Sequence, residues 1–267
     1  MPELPEVQTV LDGLSLALKD REIIGLEGYY PGTLIVDPHL PEGGFPAKLL
    51  QAVRRGKYMI LNLDSGISLI IHLRMTGKLV YEAHPEDIHK HERARILLGA
   101  GDAIRFVDPR TFGKITLLDT ENLACFIPKL GPEPLSVEYN ASYLYSAIHH
   151  RSAPIKNLLL DQALVAGLGN IYVCELLFRA RIEPQRPGAK ISKKEAALIV
   201  KHTQDVLTEA IAVGGTSISD YRRIDDKTGE FQNFLRVYQK KECPLGHALA
   251  NVRLGGRSSF YCPVCQK

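Results

Sequence analysis

The 267-residue sequence contains no apolar run near the length needed to cross a bilayer, so no membrane association is expected. Its first residues are acidic, where a secretory signal would be basic and then apolar, which predicts a cytoplasmic protein. Repeats and low-complexity segments are absent, which excludes solenoid and disordered architectures. Cysteines are few and odd in number, five in all, and Cys243, Cys262 and Cys265 crowd the C-terminal end. That distribution argues against a disulfide framework and for a metal site. Cys125 and Cys174 lie in apolar surroundings and are expected to be small buried hydrophobes.

What remains is an ordinary globular composition, 45% hydrophobic and 24% charged, in a chain long enough for two domains. The net charge of +3 hides an asymmetry. Residues 1–150 hold 15 Lys+Arg against 19 Asp+Glu, and residues 151–267 hold 18 against 11. The C-terminal half therefore carries the basic surface, the footprint of a domain that grips phosphates.

The most informative stretch is Met1-Pro2-Glu3-Leu4-Pro5-Glu6-Val7. Initiator methionine is removed before a small residue, so a chain beginning with the free secondary amine of Pro2 is expected. A free α-amino group titrates near about 8, and the start of a helix lowers it further. Pro5 suits a first helical turn, and Val7, Val10, Leu11, Leu14 and Leu18 recur at helical spacing, so residues 5–19 are predicted to form one amphipathic helix. A secondary amine that condenses with a sugar aldehyde carbon has no N–H to lose. It stays a cationic iminium, an electron sink that favours elimination of neighbouring groups. Glu3 is placed to act as the general acid at the sugar.

Short β-rich runs follow at Glu22–Gly28, Lys48–Arg55, Lys57–Asp64, Ile67–Leu73, Arg93–Leu98, Ala103–Asp108 and Lys114–Leu118. They predict an antiparallel β-sandwich. After Gly131-Pro132-Glu133-Pro134 helices take over, at about 140–149, 154–160, 170–179 and 192–213, the last opened by a Ser192-x-x-Glu195 capping box and stopped by Gly214-Gly215. The turn Asp161–Gly169, leading into Asn170 at a helix start, can present several backbone N–H groups to one phosphate. The expected fold class is α+β, with a sandwich flanked by helices and then a helical domain and a hairpin. The boundaries read 1–130, a linker at 131–134, a helical domain at 135–239 and a finger at 240–267. In that finger Cys243, His247, Cys262 and Cys265 form a Cys3His set suited to one structural zinc per monomer.

Gly56-Lys57-Tyr58, His72-Leu73-Arg74-Met75-Thr76-Gly77, Asp108-Pro109-Arg110-Thr111-Phe112-Gly113, Leu130-Gly131-Pro132-Glu133-Pro134-Leu135 and Gly167-Leu168-Gly169-Asn170-Ile171-Tyr172 occur in this order after the opening Pro-Glu-Leu-Pro-Glu-Val. Together with the tail they cover essentially the whole chain and resemble the formamidopyrimidine-DNA glycosylases, bacterial repair enzymes that remove oxidised purines and cut the strand. The resemblance implies a helix–two-turns–helix element and a monomeric enzyme, associated with the nucleoid, that binds damaged double-stranded DNA. Pro2 would be the nucleophile, Glu3 the acid and Glu6 a support for the helix start, with Lys57 and Arg257 assisting elimination. Met75 would fill the void left by the extruded nucleotide, Arg110 would bond the orphaned cytosine, and Phe112 would wedge into the stack. His72, His91, Arg151, Lys156 and Asn170 would contact DNA. Base release followed by β,δ-elimination is the implied reaction.

Some positions depart from that family's pattern. Gly246 stands where a fourth cysteine is usual, His91-Glu92-Arg93 and Thr111 differ from common residues, and the segment 217–231 that would cap the extruded base carries Gly229-Glu230-Phe231. Two other readings compete: an endonuclease VIII-like enzyme for oxidised pyrimidines, disfavoured by Leu4 and by the Met75, Arg110 and Phe112 set, and a non-catalytic DNA-binding protein, disfavoured by intact Pro2 and Glu3.

Overall fold

A computed structural model describes residues 1–40, 44–217 and 223–267. Helix α1 (Leu4–Leu18) starts at Glu3, which caps it in an extended conformation, and Pro5 falls in its first turn, where the missing N–H has no intrahelical partner to lose. Val7, Val10, Leu11, Leu14 and Leu18 are all buried, as their spacing predicts.

The chain divides into two units, Met1–Pro128 with Val213–Glu230, and Lys129–Ala212 with Phe231–Lys267. The first holds nine strands among the described residues: β1 (Glu22–Gly28), β2 (Leu34–Val36), β3 (Ala47–Arg55), β4 (Tyr58–Leu63), β5 (Ile67–His72), β6 (Lys78–Glu82), β7 (Glu92–Leu98), β8 (Ala103–Val107) and β9 (Lys114–Asp119). Their order is β2-β9-β5-β4-β3-β1-β7-β8-β6. The joint between β1 and β3 is only two residue pairs long, Glu22↔Lys48 and Ile23↔Ala47. This thin seam separates two layers that share one core, with Met59, Leu61, Leu69 and Ile115 from one side and Leu79, Ile96, Ile104 and Phe106 from the other. The predicted sandwich is thus present, and every pairing is antiparallel except β2 with β9. Strands β2 and β6 escape sequence reading for physical reasons. β2 is three residues long, too short to show alternation, and β6 ends the sheet and buries only Leu79.

The second unit holds α3 (Ala141–Ile148), α4 (Ile155–Leu160), α5 (Asn170–Arg179) and α6 (Lys193–Ala212), then the hairpin of β10 (Ala250–Leu254) and β11 (Arg257–Tyr261). The Ser192 capping box of α6 forms, Ser192 N–H donating to Glu195 Oε2 at 2.8 Å and Glu195 N–H to Ser192 Oγ at 3.3 Å. Stretch 131–134 lies against the 161–166 turn, Gly131 N–H donating to Gln162 O at 2.9 Å and Ala166 N–H to Pro132 O at 3.1 Å. A Cβ on Gly131 would lie 2.4 Å from the Leu164 backbone, so glycine is required there.

One expectation is corrected. Cys174 is buried, but Cys125 is exposed. It sits on α2 (Leu123–Phe126), a single turn that buries none of its side chains.

Candidate active site and nucleic-acid interface

At the head of α1, Pro2 is buried, Glu3 is only 4% exposed and Glu6 only 2%, while Met1 stands out at 45%. The Glu6 carboxylate is used at both oxygens: Oε2 accepts the Glu3 N–H at 2.8 Å and Oε1 the Thr216 N–H at 2.7 Å. Glu6 therefore ties the helix start to segment 213–217. Gly215 lies beside it at φ +79°, and a Cβ there would come within 2.8 Å of Glu6 Oε1. Thr216 and Gly215 are partners of Glu6 that the sequence alone does not reveal. Of the capping segment expected at 217–231, residues 218–222 lie outside the described residues.

Lys57 occupies the turn between β3 and β4 and is 7% exposed. At the end of β5, His72 Nδ1 accepts the Arg74 N–H at 3.0 Å, and its ring meets Tyr58 edge-on at 4.5 Å. Burial, with Arg74 and Lys57 nearby, pushes His72 down to about 3. A neutral ring whose Nδ1 is an acceptor leaves Nε2 as the donor.

Met75 (39% exposed) and Phe112 (50% exposed) are solvent-facing apolar side chains on two turns, and the Arg110 guanidinium lies over the Phe112 ring at 5.3 Å. Both turns converge on Asp108, 1% exposed. Its Oδ1 accepts from the Thr76 hydroxyl and from the Arg110 N–H at 3.1 Å, and its Oδ2 accepts the Gly113 N–H at 2.7 Å. His91, at φ +68°, accepts the Asp108 N–H on its carbonyl at 2.9 Å. The Arg93 guanidinium, which can only donate, faces His91 Nδ1 at 3.2 Å. Glu92, one of the unusual residues, turns inward instead. It is 3% exposed and pairs with Arg95 at 2.8 Å and with Arg105.

In the second unit the Asp161–Gly169 turn is built by Gln162, whose Nε2 donates to Leu160 O and Leu168 O and whose Oε1 accepts the Gly167 N–H at 2.9 Å. That N–H is therefore occupied internally. Lys156 is fully buried, its ammonium donating to Ser258 O at 3.0 Å and to the Ser259 hydroxyl. Asn170 Nδ2 donates to the same Ser258 O at 3.0 Å. Both residues grip β11 rather than standing free on the surface. Arg151 is half-exposed and 3.8 Å from Asp161. Arg257 is exposed directly after Gly255 (φ +54°) and Gly256 (φ +77°), a pair of left-handed residues that turns the β10–β11 hairpin with the twist its strands need.

Cys243 Sγ, His247 Nδ1, Cys262 Sγ and Cys265 Sγ all lie within 4.8 Å of one another. His247 Nδ1 is 3.5 Å from Cys243 Sγ and 3.2 Å from Cys265 Sγ, and those two sulfurs are 4.0 Å apart. Tetrahedral zinc with bonds of about 2.3 Å to sulfur and about 2.0 Å to nitrogen would separate its donors by about 3.5–3.8 Å, so the set fits. Gly246 at φ +78° supplies the extra residue of the first knuckle, with open space around it. Burial would raise the Cys243 thiol, but the Leu245 and His247 N–H groups bring it down to about 7, whereas burial and the adjoining sulfurs push Cys265 up to about 11. Gln266 is the missed residue here. Its Oε1 accepts the Cys262 N–H at 2.7 Å and its Nε2 donates to Ile182 O at 2.8 Å. Cys243 and Cys262 also pack with Cys174, Phe178 and Val237, so the finger shares a small core with α5.

Residues 1–115 match the family model of the formamidopyrimidine-DNA glycosylase N-terminal domain, and residues 130–222 that of the formamidopyrimidine-DNA glycosylase H2TH domain. A formamidopyrimidine-DNA glycosylase of Pelotomaculum thermopropionicum is 42% identical over all of this chain and 99% of its own length. A Lactococcus lactis FPG mutant, solved in complex with a Fapy-dG containing DNA, superposes with a TM-score of 0.91 at 33% identity over the full length of both chains. A second LlFpg mutant was solved with a THF containing DNA and superposes at 0.91 with 32% identity, again over both full lengths. Two family models that together match most of the chain, and 42% identity to a relative over its whole length, place this chain in the formamidopyrimidine-DNA glycosylase family.

Proposed function

We propose that this chain is a base-excision repair glycosylase and abasic-site lyase acting on oxidised purines in duplex DNA, with Pro2 as its nucleophile. The observation that carries the reading is the head of α1, where a proline one residue from the terminus is buried beside a carboxyl group that is only 4% exposed. Once Met1 is removed, the prolyl nitrogen attacks the anomeric carbon, the glycosidic bond breaks, and the base leaves with a proton. Glu3 protonates the ring oxygen as the sugar opens, giving the iminium. Loss of a C2′ proton expels the 3′ phosphate, and a further elimination expels the 5′ phosphate, leaving a one-nucleotide gap. Lys57 and Arg257 assist these proton transfers and hold phosphates.

Extruding a base costs a few kcal/mol, which residues filling the gap offset. Met75 takes the void, Arg110 bonds the orphaned cytosine and Phe112 wedges beside it; their exposure on two ordered turns supports this reading. His72 serves as a neutral Nε2 donor to phosphate, and His91 is a further phosphate contact. Arg151 and Asn170 add backbone contacts, and Lys156 contributes by holding the β11 carbonyl beneath them. Residues 1–130 supply the chemistry and 135–239 the grip. One zinc per monomer, held by Cys243, His247, Cys262 and Cys265, would fix the hairpin carrying Arg257. The clustering of His247 Nδ1 with the three sulfurs supports an imidazole in this set. We read the enzyme as a cytoplasmic, nucleoid-associated monomer.

Borohydride trapping tests the chemistry. Mature protein and a duplex containing 8-oxoguanine should yield a stable cross-link that maps to Pro2, because reduction converts the iminium to an amine. A cross-link mapping to a lysine side chain would overturn the assignment.

A further inference from the structure

Three hydrogen-bond donors from two separate turns meet on the buried Asp108 carboxylate: the Thr76 hydroxyl, the Arg110 N–H and the Gly113 N–H. We propose that Asp108 is a positioning residue that makes turn 73–77 and loop 109–113 one preorganised unit, coupling Met75 to Arg110 through Thr76. The proposal rests on the reading of Met75, Arg110 and Phe112 as the void-filling set.

The chemistry requires a carboxylate at this position. Three donors need an acceptor-only group that offers both oxygens, and an asparagine would turn an amide N–H toward one of them. With Asp108 1% exposed, three bonds to its charge offset its loss of hydration. The backbone is held as firmly, since Asp108 O accepts the Arg93 Nε–H at 2.8 Å and Asp108 N–H reaches His91 O at 2.9 Å. Thr111 lies between the two anchored N–H groups at φ +62°, a conformation costly for a branched residue unless its flanks are fixed. Both turns are closely packed where a glycine stands: a Cβ on Gly77 would meet Leu73 O at 2.5 Å, and one on Gly113 would meet the Phe106 ring at 2.3 Å. Met75 and Phe112 thus stay solvent-facing in the free protein, held by a buried scaffold beneath them. Opposite-base selection and void filling become one event.

Single-turnover excision of 8-oxoguanine opposite cytosine and opposite adenine tests this, with the cytosine-to-adenine rate ratio as the readout. Asp108→Asn should lower the ratio about tenfold, as Arg110→Ala should, because Arg110 is still present but no longer aimed. Thr76→Val, isosteric but without the hydroxyl, should lower it in the same direction, and Thr76→Ser should restore it. In a double-mutant cycle, Met75→Ala and Arg110→Ala should be non-additive in the wild-type background and additive in Thr76→Val. If Arg110→Ala lowers the ratio while Asp108→Asn and Thr76→Val leave it unchanged, the positioning role is overturned and the Arg110 reading stands. If Arg110→Ala itself leaves the ratio unchanged, both fall. Should Asp108→Asn fail to fold, the Thr76→Val and Thr76→Ser pair decides alone.

Discussion

At the scale of single residues, protonation states carry the argument. Glu3 and Glu6 are both buried, yet both oxygens of Glu6 are committed to backbone N–H groups. Glu3 is tied into the same helix start, its side chain accepting the Glu6 N–H of the capping box, and it is the carboxyl we propose as the acid. Glu3→Gln should slow base excision by about 10²-fold or more while leaving DNA affinity nearly intact, as measured by single-turnover rates and equilibrium binding on the same duplex. Unchanged excision would remove Glu3 from the mechanism. His72 gives a second prediction. Its native ring is pushed down to about 3, below its ordinary value of 6.5. The unfolded chain therefore binds the extra proton first, so His72 costs stability as pH falls below 6.5 and contributes no such loss above it. As a neutral donor it should support DNA binding equally from about pH 5.5 to pH 8. A wild-type affinity advantage over His72→Phe that fades as pH rises through 6.5 would instead mean a cationic contact.

At the scale of elements, buried polar hubs hold the loops that bear the interface. Glu92 on β7 pairs with Arg95 and with Arg105 of β8, and it accepts the His89 N–H at 3.0 Å. Both guanidinium groups also donate to Asp87 O, at 3.1 and 2.7 Å, so the network pins the loop that leads into His91. Glu92→Gln removes the Arg95 counter-charge and leaves Arg105 with Glu82 alone, and a loss of about 3 kcal/mol is expected from thermal or urea unfolding. The sign of the pH effect is fixed. Burial alone would raise the Glu92 carboxyl, but hydrogen bonds from Arg95, the His89 N–H and Arg105 hold it below its ordinary value of 4.5. Its stabilisation is present above that value and is lost as pH falls through the lower native one. The acid side of the stability profile should accordingly be flatter in Glu92→Gln than in wild type, and parallel profiles would refute the network's role. In α5 the same device recurs. Glu175, fully buried, accepts the N–H groups of Arg236, Val237 and Tyr238 at 2.8–3.0 Å and so anchors the chain entering the finger.

At the scale of the whole molecule, the two units have separate cores, and the metal set belongs to the second. The β10–β11 hairpin is held by Lys156 and Asn170 on Ser258, by Gln266 on Cys262 and Ile182, and by the cysteine cluster itself. Elemental analysis should find one zinc per monomer. Chelation, or His247→Ala, should lower affinity for lesion duplex by about tenfold or more, since the ordered presentation of Arg257 is lost. Hydrogen exchange should then show lost protection in β10 and β11 and unchanged protection at Leu61, Leu69, Ile96 and Phe106 of the first core. Freshly purified protein with no zinc and full cleavage activity would show that these four side chains hold the finger without a metal.

Local information was enough for much of this molecule. The spacing of Val7, Val10, Leu11, Leu14 and Leu18 marked α1, alternation and turn residues marked seven of the nine described strands, and the pairs Cys243/His247 and Cys262/Cys265 announced the metal set, because each of these patterns is complete within a few residues of itself. The ordered motifs likewise carried the family. Tertiary structure alone decided which polar groups turn inward: Asp108 receiving Thr76, Glu6 receiving Thr216, Glu92 between Arg95 and Arg105, and Lys156 buried under Ser258. It also decided that Cys125 is exposed while Cys174 joins the finger's core. A charged side chain has no periodicity that reports its burial. Its place depends on partners that lie 32, 210 or 102 residues away along the chain, and only the folded backbone brings them within hydrogen-bond reach.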